Sequence, residues 1–153
     1  MSGSGAPQLE VSGAGKKIYV VATSWHPKIM DGLIQGALAE LEKSGAKDVV
    51  LQAVPGAFEL PLAASYAIDQ GADAVIALGV VIRGETPHFD YVCQSATDGL
   101  TSLQLSSKTP IGFGLLTVDN EAQALDRAGL PGSKEDKGSE AVQAALHMLS
   151  LKP

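Results

Sequence analysis

The chain has 153 residues, 45% of them apolar, and a formal net charge of −6. That length fits one domain, the apolar share excludes a disordered chain, and the acidic balance argues against sequence-independent nucleic-acid binding, which needs clustered Lys and Arg. The longest apolar stretch, Ala74–Ile82, falls far short of the roughly 20 residues a membrane helix requires, so no membrane partner is expected either.

The first residues, MSGSGAPQLEVSGAGKK, are small and polar without the apolar segment of a secretory signal. Residues 1–15 read as a flexible arm in which QLEV, residues 8–11, is a short edge strand, and residues 16–153 as the domain. A single cysteine, Cys93, excludes an internal disulfide framework and suits a reducing compartment, so a soluble cytoplasmic domain is expected. Without CxxC pairs or HExxH there is no basis for a dedicated metal site.

Four β-rich runs follow: residues 18–23 (IYVVAT), 49–54 (VVLQAV), 74–82 (AVIALGVVI) and 111–118 (IGFGLLTV). The first and third are almost continuously apolar, as in parallel strands covered on both faces. Between the first two, Ile29, Leu33, Ala37 and Leu41 repeat at helical spacing, with Gly45 as the stop. Leu62, Tyr66 and Ala67 give a second helical stripe ending near Gly71. Val92, Ala96, Gly99, Leu100 and Leu103 give a third, and Ala141, Val142, Ala145, Met148 and Leu149 a last one. Residues 128–138 (AGLPGSKEDKG) read as a polar connection between two helices. Strand and helix alternate throughout, which predicts an α/β sandwich around a parallel sheet.

In such sheets ligands bind outside the carboxyl ends of the strands, so the segments that follow each strand are the candidates. In RGETPHF, Thr86 reads as the N-cap and Pro87 as the first residue of a helix. The free N–H groups of that turn, with Gly84 allowing close approach, suit an anion, and His88 stands where it could move a proton. The plainer reading is an ordinary capped helix with a surface histidine. In SWHPK, Trp25 either caps the core or offers a stacking face, and His26 reads as exposed. In PGAFE, Gly56 permits a tight turn, Phe58 reads as core, and Glu59 opens a helix where a carboxylate is favoured by the dipole and could also hold a polyol. Arg83, Arg127 and Lys137 are cations that an anion site could recruit, or surface charges paired with acidic neighbours. Cys93 and His147 read as structural and surface residues. GVVIRGET has Glu85 where a P-loop needs Lys, and no GxGxxG or GxSxG is present. The residues alone therefore indicate an α/β domain that binds a small, aromatic, anionic ligand at its strand ends, with His88 as the proton-transfer group.

The blocks GVVIRGETPHFDYVC, PGAFELP, FGLLTVDNEAQALDRAG and EDKG, in this order from about Ile18 to the C-terminus, closely resemble the lumazine synthase family. The resemblance implies a flavodoxin-like three-layer αβα sandwich with a four-stranded parallel sheet, and an N-terminal strand lent to a neighbouring subunit. It implies condensation of 5-amino-6-(D-ribitylamino)uracil with 3,4-dihydroxy-2-butanone 4-phosphate to 6,7-dimethyl-8-ribityllumazine, phosphate and water, a transferase reaction of riboflavin biosynthesis needing no cofactor. His88 matches the family's acid/base histidine. Trp25 occupies the stacking position, with Val81 and Ile82 reading the pyrimidine by backbone and Ala57, Phe58 and Glu59 holding the ribityl chain. Gly84, Glu85 and Thr86 match the phosphate loop, while Arg127, Lys137 and Phe113 match residues supplied by the adjacent subunit. The triplet SWH replaces the family's usual Arg-Phe-Asn pattern, and LPGSKEDKG is about two residues longer than in sixty-subunit shells, so a free homopentamer is expected. A non-catalytic flavin or lumazine carrier is the competing expectation; it would keep Trp25 and Glu59 but need neither His88 nor the phosphate groups.

Overall fold

The computed structural model describes residues 3–153. Its sheet is formed by β1 (Lys17–Thr23), β2 (Asp48–Val54), β3 (Ala74–Ile82) and β4 (Ile111–Val118). All pairings are parallel, in the order β2-β1-β3-β4. Five helices connect and cover the strands: α1 (Pro27–Lys43), α2 (Leu60–Asp69), α3 (His88–Ser107), α4 (Glu121–Leu125) and α5 (Lys137–Ser150). This is the α/β sandwich that the alternation of elements predicts, with the flavodoxin-like sheet that the resemblance implies.

The two-residue period of a strand sends neighbouring side chains to opposite faces. In β1, Ile18, Val20 and Ala22 face a core shared with α1, α4 and α5. Tyr19 and Val21 face a second core, shared with α2 and α3. β3 divides in the same way, Ala74, Ile76 and Leu78 to the first core and Val75 and Ala77 to the second. Both strands are therefore almost continuously apolar because both faces are covered. Burying a side chain such as Ile18, Leu33 or Leu146 completely contributes about 1.5–3 kcal/mol each.

Helix boundaries follow the local chemistry. Pro27 opens α1, whose fixed φ suits a first turn, and Gly45 at φ 84 leaves it after Ser44. Ile29, Leu33, Ala37 and Leu41 are all buried, as their spacing predicts. α5 is capped by Asp136, whose side chain accepts from the Ser139 N–H. Its first turn lies so close to α1 that a Cβ on Gly138 would press on the Leu33 carbonyl oxygen and stand 3.1 Å from the Ala37 nitrogen.

Three expectations need correction. In α2 the buried residues are Leu60, Ala63, Ala64 and Ala67, so Leu62 and Tyr66 lie on the exposed face: the small alanines, not the large residues, fit against the sheet. In α5, Leu146 is buried while Met148 is exposed. Residues 8–11 pair with no strand of their own chain, where the expected pairing is with a neighbouring subunit, and Val11 packs against the first core. Pro87 stands at the N-cap and His88 opens α3, one position later than the Thr-Pro signature suggests.

The chain runs from β1 outward to β2, then returns across β1 to β3 and β4. Its direction reverses between β1 and β3, so the loops after these two strands diverge and leave a crevice at their carboxyl ends.

Candidate active site

The ends of β1, β2 and β3 are neighbours, since Thr23 pairs with Val54 and Ala22 with Leu78. β3 runs further. Its pairing with β1 stops at Leu78, whereas its pairing with β4 continues to Ile82 opposite Val118. Beyond Leu78, the backbone groups of β3 on the β1 side have no strand partner. Around Val81 and Ile82 this leaves N–H and C=O groups that demand hydrogen bonds, held rigid by β4.

The segment after β1 is anchored by Ser24, whose Oγ donates to the Val54 carbonyl (2.8 Å) and whose N–H donates to the Pro55 carbonyl (3.2 Å). Trp25 then turns outward with 67% of its surface exposed, so it does not cap the core. His26 takes a left-handed φ of 56°, uncommon for a residue other than glycine. Against expectation His26 is half-buried, its ring centroid 6.4 Å from that of Trp25.

After β2, Ala57–Glu59 form a single 3-10 turn. Glu59 Oε2 accepts the Gly56 N–H at 3.0 Å, which fixes the carboxylate at the turn. A Cβ on Gly56 would stand 3.4 Å from Glu59 Oε2 and 3.5 Å from Trp25 Nε1. Indole and carboxylate thus converge on one glycine. Phe58 is not core but 63% exposed, because Ala57 and Leu60 take the inward positions on either side of it.

After β3, Arg83 donates from Nε to Asp119 (2.9 Å), approaches Asp90 (3.4 Å) and covers the Phe89 ring at 4.4 Å. The hydrogen bond to Asp119, with the nearby Asp90, raises the pKa of its guanidinium above the usual value despite the opposing effect of desolvation. Gly84, Glu85, Thr86 and His88 are exposed, and the Thr86 hydroxyl oxygen accepts the His88 N–H at 3.4 Å. The start of α3 therefore offers N–H groups to an anion, but its nearest cation is committed to two carboxylates.

Three candidates are not brought to this crevice by their own chain. Phe113 pairs with Ala77, five rungs before the Ile82–Val118 pair. At about 3.3 Å per residue it lies roughly 16 Å down the sheet, half-exposed beside a hollow of about 190 Å³ lined by Leu100, Gln104 and Ile111. Arg127 and Lys137 are brought together with one another, but among α1, α4 and α5, where Leu125 and Ala128 join the first core. Ala57, Leu60 and α3 belong to the second core, on the other side of the sheet.

Segments 126–129 and 134–137 form an antiparallel clip. Ala128 bridges Asp136, the Lys137 N–H donates to the Arg127 carbonyl (3.0 Å), and the Gly129 N–H donates to the Glu135 carbonyl (3.0 Å). Gly36 of α1 has no side chain where the Asp136 carboxylate sits, so the clip can rest on that helix. Glu135, which no motif singles out, lies at its centre with a side chain only 6% exposed; Lys137 Nζ is 3.2 Å and Arg127 Nε 3.9 Å from its Oε2. The closeness of EDKG to Arg127 across one polar loop was the only sequence signal for it. Cys93 is partly buried, and burial, helped by Asp90 and opposed by Arg83, pushes its thiol above the usual range. His147 is exposed, as expected.

The family model for 6,7-dimethyl-8-ribityllumazine synthase matches residues 15–153. The chain belongs to this family. It is 62% identical over 146 residues to the 6,7-dimethyl-8-ribityllumazine synthase of Kineococcus radiotolerans, covering 95% of this chain and 91% of the relative. The synthase of Leifsonia xyli subsp. xyli is 57% identical over 148 residues (95% and 93% covered), and that of Streptomyces coelicolor 55% over 147 (95% and 91%). A lumazine synthase fold thus accounts for the crevice at the β1–β3 reversal.

Proposed function

We propose that the chain condenses 5-amino-6-(D-ribitylamino)uracil with 3,4-dihydroxy-2-butanone 4-phosphate to 6,7-dimethyl-8-ribityllumazine, in sites shared between copies of a cytoplasmic homopentamer. The observation that carries this reading is the convergence of Trp25, Glu59 and the unpaired edge of β3 on one crevice, in a chain whose relatives bear the synthase name.

Each group has a task that its placement supports. The exposed indole of Trp25 stacks on the pyrimidine, while backbone groups at Val81 and Ile82 pair with the ring's polar edge. Glu59 spends one acceptor site on Gly56 and keeps others for ribityl hydroxyls, alongside the backbone of Ala57 and Phe58. Gly84, Glu85 and Thr86 at the start of α3 hold the phosphate, with Arg127 and Lys137 of the adjoining copy as countercharge and its Phe113 closing the ring pocket. The positions of these last three within one chain support a shared site, because each lies away from the crevice of its own chain.

The amine attacks the ketone and one water leaves as the imine forms. Phosphate is then eliminated, and its departing charge is stabilised by the α3 N-terminus and the two cations. The ribitylamino nitrogen closes the ring with loss of a second water. His88 relays protons in these steps, since a histidine accepts and returns a proton near neutrality. β2 is one of the two edge strands and leaves Leu51 49% exposed. The unpaired segment 8–11 is suited to add to that edge of a neighbour.

The test is to mix the purified protein with both substrates and follow lumazine fluorescence against the spontaneous reaction. Acceleration is expected; a rate no higher than the spontaneous one refutes the assignment.

A further inference from the structure

We propose that Glu135 is a positioning residue, one buried carboxylate that sets the directions of Arg127 and Lys137 as a preformed fork for phosphate. The inference rests on the reading that these two cations bind the phosphorylated substrate.

Two like charges on adjoining threads repel one another, and long side chains lose rotamer freedom when held. Something must offset both. The Glu135 carboxylate is anchored by backbone on both sides, its N–H donating to the Asp126 carbonyl at 2.9 Å and its own carbonyl accepting from Gly129. From there it faces the Nε edge of Arg127 and the ammonium of Lys137. The Arg127 Nη1 donates to the Gln123 carbonyl at 2.8 Å. One hydrogen bond and one longer ion-pair contact, at 3.9 Å, thus restrict the guanidinium from two sides. Lys137 is held likewise between Glu135 and Glu140, at 3.2 and 2.7 Å. Burial works against its charge, but the hydrogen bonds to Glu140 and Glu135 outweigh this and leave the ammonium held above its usual range. A planar donor set fixed in advance binds an oxyanion better than the same groups left mobile.

Charge alone predicts the opposite. A carboxylate close to the phosphate repels it, so removing that charge would strengthen binding if Glu135 did no more than sit there. Glu135→Gln separates the two effects, since it keeps the volume while a neutral amide cannot hold two cations at one oxygen. We expect a KM for the phosphorylated ketone raised roughly tenfold, as for a weakened set of charged hydrogen bonds. Inhibition by inorganic phosphate should weaken in parallel, with kcat at saturation and the KM of the pyrimidine unchanged. Glu135→Asp, which keeps the charge but draws it back by one methylene, should fall between; it serves as the test if Glu135→Gln does not fold. An unchanged or lowered KM overturns the positioning role, and so does a loss shared equally between kcat and both KM values. Arg127→Ala is measured alongside. If it weakens the phosphorylated substrate while Glu135→Gln does not, positioning alone fails. If Arg127→Ala also leaves phosphate binding untouched, the assignment of the cations fails and the inference falls with it.

Discussion

The close seating of α5 on α1 makes Gly138→Ala a demanding test of the packing. A methyl group there would be driven into the Leu33 carbonyl and the Ala37 N–H, the two partners of one helical hydrogen bond of α1. Because the obstacle is backbone rather than the end of a flexible side chain, it cannot rotate away, and the cost belongs near the top of the usual overpacking range, about 3 kcal/mol. The helix preference of alanine over glycine returns about 1 kcal/mol. A net loss of about 2 kcal/mol remains, which for a chain of this size lowers Tm by roughly 6 °C. Thermal melts followed by circular dichroism, at one fixed protein concentration because any self-association would shift apparent stability, would measure it. A Tm equal to or above that of the parent would refute the reasoning, since helix preference would then have acted unopposed.

Replacing His88 by alanine should lower kcat by roughly 10²–10⁴-fold, the range of a general acid/base, with little change in either KM; steady-state kinetics on both substrates decides it, and an unaltered kcat removes His88 from the mechanism. His88→Ala and Arg127→Ala, each weakly active alone, should regain activity when unfolded together and co-assembled, because some interfaces would join an intact His88 half to an intact Arg127 half; no gain over the separate proteins would argue that each chain holds a whole site. The Cys93 thiol should react with iodoacetamide more slowly than a free thiol near pH 8. Since its folded pKa is raised, chiefly by burial, its stability contribution is complete below the unfolded pKa and is lost as pH rises through the folded one. Urea titrations across the alkaline range should therefore show a shallower decline for Cys93→Ala than for the parent.

The positions of β1 and β3 were legible because burial on both faces leaves an almost continuous apolar run. Those of β2 and β4 were legible because their β-branched and apolar residues are bounded by polar or turn residues. β3 spans the predicted residues 74–82 and β4 the predicted 111–118, while β1 and β2 each begin one residue earlier. The crevice was legible too, because Gly56, Gly84 and Pro87 punctuate the ends of buried runs. Orientation was harder. An apolar residue at helical spacing announces a packed face without saying whether its own chain does the packing. Leu62 and Tyr66 are exposed in the chain, whereas the small alanines of α2 carry the contact with the sheet. Glu135 escaped because an acid among the charges of a polar loop looks solvent-facing until the clip folds it between two cations.

The placement of Phe113, Arg127 and Lys137 away from their own crevice also bears on counting. If every chain donates one half-site and receives another, the contact between copies runs head to tail, and such contacts satisfy every chain only when the ring closes. An open arc of linked chains would always carry one idle donor at one end and one idle acceptor at the other. Activity per chain would then rise with arc length and reach its full value in a single step at closure, so the enzyme's own turnover would report the completion of its quaternary structure.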